Sequence, residues 1–222
     1  MSLAEQAEQV AQRLFPPGVE VAARSLDTPP APHPSEASAV AGSVPARRAE
    51  FAAGRAAARD ALTALGLPPA AIPMGEDRAP CWPRGTTGSI THTGILALAA
   101  VAPSRQCSAL GLDAEPDEAL PGDLLDIICL PEEIRWLSVQ SDPGRWARLI
   151  FTAKEAAYKC QFPASRTIFG FEALSVQPDL GTGHLAARFT MAVHPFAKGD
   201  VLRGRFGIGA GLILAGFSLP AV

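Results

Sequence analysis

The order of helical and strand-like patterns constrains the fold of this chain more than any other feature of its sequence. One long helical pattern, rich in alanine, spans residues 47–65, and a second spans residues 143–160. Strand-like patterns follow each of them, including an alternating, glycine-punctuated tail from Phe169 onward that predicts three or four strands. Because helices and strands are segregated, the sequence favours an α+β fold. The similar halves predict two lobes that work as one unit, residues 1–108 and 109–222.

Shorter patterns complete the predicted framework. An amphipathic helical pattern occupies the first fifteen residues, and alternating side chains predict a strand at residues 18–24. Residues 27–46 hold five prolines and therefore indicate a long loop. Apolar runs then predict one buried strand over residues 89–101 and another over residues 108–115.

Charge and composition exclude several classes of protein. The 19 basic and 22 acidic residues give a net charge of −3, which offers no positive excess for a nucleic-acid backbone. The uncharged stretch at residues 206–222 is shorter than the roughly 20 residues of a membrane span, and glycines interrupt it, so it predicts two closing strands. The four cysteines form no Cys-x-x-Cys pair, and the first residues lack the pattern of a secretory signal. We therefore expect a cytoplasmic protein that binds neither nucleic acid nor membrane.

Acids and lysines concentrate in two short motifs. Asp113 and Glu115 are two residues apart on a predicted strand, which places both side chains on one face. Glu155 lies on a predicted helix between Lys154 and Lys159, although the whole chain has only three lysines. Three carboxylates with water suit Mg²⁺, and neighbouring ammonium groups suit a pyrophosphate. The alternative is a set of exposed acids with a surface ion pair on the helix.

Candidate phosphate-binding residues occur upstream of these motifs. Thr91 and His92 end a predicted strand, where both could donate hydrogen bonds to a phosphate. Arg48, Arg55 and Arg59 follow helical spacing and predict a basic stripe that clamps ligand phosphates. The alternatives are a structural histidine and a solvated helix face. Two further basic candidates are Arg47 and Arg78.

Together these motifs resemble those of the Sfp/EntD-type 4′-phosphopantetheinyl transferases, particularly short bacterial members of actinobacterial type. The resemblance covers about half of the chain, in family order. Its specific part is the pair of motifs Gly-x-Asp-x-Glu and Phe-Thr-x-Lys-Glu-x-x-x-Lys at this separation. The matching segments are residues 47–55, 75–83, 88–92, 111–115, 130–133 and 151–159.

The resemblance implies a pseudo-twofold, two-lobe monomer, with a small sheet and a long helix in each lobe and coenzyme A bound between them. It implies transfer of 4′-phosphopantetheine from coenzyme A to a serine of an apo acyl or peptidyl carrier protein, with release of adenosine 3′,5′-bisphosphate. Carriers of fatty-acid, polyketide and nonribosomal-peptide synthesis are all open as partners. The implied metal is Mg²⁺ or Mn²⁺, with ligands Asp113, Glu115 and Glu155.

The resemblance also assigns roles to single residues. It implies catalysis by Glu133, Glu155 and Lys159, where Glu133 would be the base for the attacking serine. Glu132 and a metal-bound water are the alternative bases. The residues implied in coenzyme A binding are Arg47, Arg48, Arg55, Gly75, Arg78, Thr91, His92, Asp113, Lys154, Glu155 and Lys159.

Two other classes of function use comparable residues. A non-catalytic module that binds coenzyme A or docks a carrier would keep the fold but would not need all three acids. A magnesium-dependent nuclease of the restriction type places its lysine two residues after the last acid, whereas this chain has Ala157 there. Both alternatives therefore fit the sequence less well than the transferase.

Overall fold

Two antiparallel sheets and five α-helices make up the computed structural model, which describes residues 1–221. The helices are α1 (Leu3–Gln12), α2 (Pro45–Ala64), α3 (Leu125–Ile128), α4 (Pro131–Leu137) and α5 (Pro143–Ser165). The strands are β1 (Glu20–Ser25), β2 (Thr86–His92), β3 (Leu96–Pro103), β4 (Cys107–Pro116), β5 (Leu174–Asp179), β6 (His184–Phe189), β7 (Val201–Gly209) and β8 (Leu212–Pro220). Within the described residues, none of the helices is long and apolar enough to cross a membrane.

Each half of the chain combines one sheet with one long helix. The first sheet has the strand order β1-β3-β2, and the second has the order β4-β8-β7-β6-β5. Small side chains on α2, such as Ala57, Ala58 and Ala61, pack against the central strand β3 of the first sheet. Helix α5 packs in the same way on β4 and β8 of the second sheet. The predicted α+β, two-lobe fold is confirmed, as are the four strands of the tail.

The first helix connects the two halves. Alternating glycines on β7, together with Gly216 on β8, leave a shallow surface on the face of the second sheet opposite α5. A Cβ at Gly207 or Gly209 would lie 2.8 Å from the Val10 side chain, so α1 approaches the strands closely. Helix α1 packs in a buried apolar cluster that also includes Leu96 and Leu98 of the first sheet. The lobe boundary at residues 108/109 stays a prediction; β4 begins at Cys107, just before it.

One predicted strand was wrong. Residues 89–101 form parts of two strands, because β2 ends at His92 and β3 begins at Leu96. The Thr93 backbone N–H donates to the Leu96 carbonyl at 2.7 Å, and the Thr93 hydroxyl accepts from the Leu96 N–H at 3.2 Å, which closes a tight turn through Gly94. The apolar run itself covers residues 95–101, and extending the strand back to residue 89 passed over Thr93 and Gly94, the residues of the turn.

Close packing between β4 and α5 depends on a residue without a side chain. A Cβ at Gly111 would collide with the Ala156 carbonyl and would lie 2.7 Å from the Cys160 backbone nitrogen. Gly111 therefore sets the distance between the strand that carries Asp113 and the helix that carries Glu155. By contrast, a Cβ at Gly42 would meet nothing within 4 Å.

We expect Gly111→Ala to lower the free energy of unfolding by about 2 kcal/mol or more, because the backbone of α5 must move away. Gly42→Ala should change it by less than about 0.5 kcal/mol. Urea unfolding followed by circular dichroism measures both variants. Equal stability of the two variants would show that β4 and α5 are not packed at this distance.

Candidate active site

A cleft runs between β2 of the first sheet and β4 and α5 of the second. It contains two cavities of about 540 and 370 Å³. Arg78, Pro80, Ile90 and Lys159 line both cavities, so the two are neighbouring parts of one cleft. The larger part is aromatic, with Trp82, Tyr158 and Phe162 on its walls. The smaller part is charged. These residues come from both halves of the chain, as the sequence predicts.

Side chains, rather than a backbone ladder, join β2 to β4 at this cleft. The Ser89 hydroxyl accepts from the Leu112 N–H at 2.9 Å, and the Thr91 hydroxyl donates to Asp113 Oδ1 at 2.8 Å. From α5, Lys159 Nζ donates to the Leu112 carbonyl at 3.2 Å and to Asp113 Oδ1 at 2.6 Å. The carboxylate of Asp113 is therefore held by one donor from each half.

The second oxygen of Asp113 has no such partner. Asp113 is only 5 % exposed, and its Oδ2 is a buried side-chain atom that accepts no hydrogen bond within the described part of the chain. An unsatisfied buried carboxylate oxygen is costly, because it loses its hydration without compensation. Its position beside two further acids points to a ligand that carries positive charge.

Two of the three predicted metal ligands, Glu115 and Glu155, have raised pKa values. Burial, followed by repulsion from Asp113, raises the pKa of both Glu115 and Glu155, and Lys159 partly opposes this effect. Glu115 Oε2 also accepts a hydrogen bond from Arg148 Nη1 at 3.2 Å. Among residues 1–221, no three His, Cys, Asp or Glu side chains are grouped closely enough to form a ready-made metal site.

Further basic groups line the smaller cavity. Arg47 Nη1 donates to His92 Nε2 at 2.7 Å and to Glu50 at 3.2 Å. Burial lowers the pKa of His92, so the ring is neutral and carries its proton on Nδ1. Arg47 and His92 thus form one polar unit at the start of α2.

Two more arginines reach the same cavity. Arg55 is 6 % exposed, donates through Nε to the Ile72 carbonyl at 2.8 Å and lies over the Phe51 ring. Burial lowers the pKa of its guanidinium to about 10. Arg78 is exposed at φ 66° in a turn that begins at Gly75. Gly75 shapes this turn and lines neither cavity, so its predicted contact with coenzyme A rests on the resemblance alone.

The predicted stripe of Arg48, Arg55 and Arg59 was wrong. Arg59 forms an ion pair at 2.9 Å with Glu36, a residue of the proline-rich loop that is 1 % exposed. Arg48 is exposed and lines neither cavity, whereas its neighbour Arg47 does. The side chains of α2 that face the cleft are therefore Arg47 and Arg55.

The structure does not bring Lys154 and Glu133 into the cleft. Lys154 is 1 % exposed, and its Nζ donates to the Ile128 and Phe171 carbonyls and contacts Glu133 Oε2 at 2.8 Å. Both carboxylate oxygens of Glu133 also accept backbone N–H groups, from Leu130 and Val176, each at 2.6 Å. The prediction that Lys154 binds pyrophosphate and Glu133 acts as the base conflicts with this geometry. Both are parts of a buried structural pair.

The Thr91 hydroxyl likewise has a different role from the predicted one. Thr91 is 4 % exposed, and its single hydroxyl proton points to Asp113 rather than to an open phosphate position. Two polar residues of the site, Arg148 and Arg166, were missed by the sequence reasoning, as was Ser89, whose hydroxyl joins β2 to β4 outside the acidic group. Arg148 precedes Glu155 by seven residues on the same face of α5, a spacing that indicates a shared site. Arg166 pairs with Asp77 across the larger cavity at 2.7 Å, a long-range contact without a sequence signal.

Comparison with known proteins agrees with this architecture. Two family descriptions match the chain: "4′-phosphopantetheinyl transferase N-terminal domain" over residues 35–102 and "4′-phosphopantetheinyl transferase superfamily" over residues 109–198. The 4′-phosphopantetheinyl transferase Npt of Nocardia iowensis is 41% identical over 174 residues, which cover 78% of each protein. Svp of Streptomyces mobaraensis is 39% identical over 196 residues, covering 85% of this chain and 78% of the relative. PptT of Mycobacterium tuberculosis is 38% identical over 199 residues, covering 85% and 86%.

Fold and cleft together therefore define a two-lobe enzyme with acidic and basic side chains in a cleft between its halves. The chain belongs to the 4′-phosphopantetheinyl transferase family. The activity of that family is the transfer of phosphopantetheine from coenzyme A to carrier proteins.

The buried pair yields a prediction about stability. We expect Lys154→Met to lower the free energy of unfolding by roughly 3–5 kcal/mol, because it leaves the Glu133 charge buried without its partner. Lys198→Met removes an exposed lysine and should cost less than about 0.5 kcal/mol. Urea unfolding at neutral pH compares them. A stable Lys154→Met protein with impaired coenzyme A binding would restore the ligand role predicted from the sequence.

Proposed function

We propose that this chain transfers 4′-phosphopantetheine from coenzyme A to a serine hydroxyl of an apo carrier protein and releases adenosine 3′,5′-bisphosphate. The observation that carries the proposal is the buried, half-satisfied carboxylate of Asp113 beside Lys159, Glu115 and Glu155. Arg47, Arg55, Arg78 and His92 line the same cavity as Asp113 and Lys159. This arrangement suits a substrate with a pyrophosphate and a separate terminal phosphate.

The residues present fit a divalent metal ion. The uncompensated Oδ2 of Asp113 and the raised pKa values of Glu115 and Glu155 would both be relieved by a cation. Mg²⁺ prefers such oxygen ligands and usually retains several waters, so a few carboxylates suffice. We assign Asp113, Glu115 and Glu155 as its ligands, with Mn²⁺ as the other candidate ion. When bound, the metal supplies positive charge that stabilises the pyrophosphate during transfer.

We assign the two phosphate-bearing parts of coenzyme A, the 3′-phosphate and the pyrophosphate, to different basic residues. Arg47, Arg55, Arg78 and His92 line the smaller cavity and would bind the 3′-phosphate side of the substrate. The Nη groups of Arg55 donate no hydrogen bond to the described residues, which leaves them available to the cavity. Lys159 borders both cavities and would neutralise a pyrophosphate oxygen beside Asp113.

In the transfer, the serine oxygen forms a bond to the phosphorus that carries pantetheine, and the bond from that phosphorus to the bridging oxygen breaks. The adenosine bisphosphate leaves with the bond electrons, and Lys159 offsets part of its developing charge. We assign the serine proton to a group other than Glu133, because that carboxylate is buried, pairs with Lys154 and accepts two backbone N–H groups. Glu132 is exposed on the same turn and remains, with a metal-bound water, a predicted base.

Relatives indicate the range of carriers. A further relative, enterobactin synthase component D of Salmonella typhi, is 36% identical over 132 residues, which cover 59% of this chain. The name of that relative assigns it to an enterobactin synthase. For this chain, carriers of fatty-acid, polyketide and nonribosomal-peptide type are all proposed substrates. The monomeric state and cytoplasmic location stay predictions.

The transfer assay is the direct test. We expect the wild-type protein to add one phosphopantetheine to an apo carrier in the presence of Mg²⁺ and coenzyme A, as detected by intact mass spectrometry. A panel of the three carrier types is used, and EDTA should abolish the mass gain. A folded protein that modifies none of the carriers would favour the non-catalytic coenzyme-A-binding module.

A substitution at Glu155 should separate activity from stability. Glu155→Gln removes a metal ligand, and we expect transfer to fall by about a hundredfold or more. Burial raises the pKa of Glu155 in the folded protein, so its charged form costs stability above that pKa, and a neutral amide removes the cost. At pH 7 without metal, the variant should therefore unfold at the same or a higher temperature than wild type. Full activity would remove Glu155 from the site.

A further inference from the structure

Thr91 and Asp113 come from different halves of the chain. Thr91 lies on the edge strand β2 of the first sheet, whereas Asp113 lies on the edge strand β4 of the second. Their side chains are both buried, and the hydroxyl reaches Asp113 Oδ1 at 2.8 Å. A residue outside the acidic motifs therefore contacts the central acid of the site directly.

This contact determines which oxygen of the carboxylate stays unengaged. Oδ1 accepts two hydrogen bonds, one from Thr91 and one from Lys159, whereas Oδ2 accepts none from residues 1–221. A carboxylate on a strand can rotate about its side-chain bonds, and an ordered donor fixes one of its orientations. Two donors from opposite sides of the cleft leave the carboxylate with one available oxygen.

Lys159 cannot fix this orientation alone. Its long, flexible side chain is 28 % exposed and also contacts the Leu112 carbonyl. In the proposed transfer it must also neutralise a phosphate oxygen, which draws its ammonium away from Asp113. The short, β-branched side chain of Thr91 has few rotamers. Among the described residues, its hydroxyl donates to Asp113 and to no other acceptor. The Thr91 hydroxyl is thus held in place more rigidly than the Lys159 ammonium group.

From this geometry we infer that Thr91 is a positioning residue for the metal ligand Asp113: it holds Oδ1 so that Oδ2 is presented to the divalent cation. The inference rests on the proposed function, since it requires that Asp113 bind a metal. It replaces the expectation that Thr91 donates to a phosphate. It also makes metal affinity depend on the contact between the two halves of the chain.

Ser89 provides the matched control. It lies two residues before Thr91 on the same strand and also joins β2 to β4, but its hydroxyl binds the Leu112 backbone N–H instead of a carboxylate. Both side chains are buried, at 4 % exposure each. Ser89→Ala therefore removes an equivalent hydrogen bond between the halves without removing a donor to Asp113.

The experiment measures Mn²⁺ affinity by electron paramagnetic resonance of the free ion, with saturating coenzyme A and no carrier. We expect Thr91→Val to weaken Mn²⁺ binding by roughly tenfold or more, as is typical when a partner of a metal ligand is lost. Thr91→Ser keeps the hydroxyl and should stay within about threefold of wild type, as should Ser89→Ala. Thermal unfolding confirms that each variant is folded.

Coenzyme A affinity in EDTA, measured by calorimetry, separates positioning from phosphate binding. It should be unchanged in Thr91→Val, because the hydroxyl donates to Asp113 and not to the substrate. The inference is overturned if Thr91→Val binds Mn²⁺ like wild type, if Ser89→Ala weakens Mn²⁺ binding equally, or if Thr91→Val weakens metal-free coenzyme A binding. Absence of Mn²⁺ binding by the wild-type protein also overturns it. The mass-spectrometric transfer assay is independent of these outcomes, so it judges the proposed function separately.

Discussion

The burial of one carboxylate at the junction of two sheets is the constraint on which the rest of the structure depends. Asp113 can lie there because Thr91 and Lys159 donate to one of its oxygens from opposite sides. Those donors require β2, β4 and α5 to meet within hydrogen-bond distance, which in turn requires the missing side chain of Gly111. The remaining oxygen keeps a desolvation cost that the protein alone does not repay. The site is thus less stable than its surroundings and more suited to a cationic ligand, a compromise that is common at functional sites.

Two lysines of one helix show how the same residue type serves opposite purposes. Lys154 and Lys159 are five residues apart, about 140° around a helix, so they face different surroundings. Lys154 points into the core of the second half, where it joins α5 to the end of α3, to α4 and to the segment before β5. Lys159 points into the cleft. Glu155 directly follows Lys154 and lies near Asp113, so the buried pair also fixes the part of the helix that carries Glu155.

Much of the fold followed from local patterns, whereas the division of roles at the site did not. The α+β class, both long helices and the four strands of the tail are visible in periodicity, and the acid and lysine motifs locate the cleft. The turn at Thr93 was missed because the predicted strand was extended from the apolar run at residues 95–101 back over the more polar residues before it. Arg59 and Glu133 were misassigned for a different reason. Their partners, Glu36 and the Val176 N–H, lie 23 and 43 residues away, and no local pattern encodes such pairings. A motif shows that charged residues are present but not which of them neutralise each other.

The position of the first helix has a consequence for the order of folding. Helix α1 is synthesised before the other described elements, yet it packs on β7 and β8, which follow all of them in the chain. Until these two strands have been made, the apolar side chains of Val10 and Leu14 therefore lack the glycine-lined surface that covers them. Contacts between such distant segments form late, because closing a long loop costs entropy before it gains burial. The chain can therefore bury Val10 and Leu14 only after β7 and β8 have been synthesised.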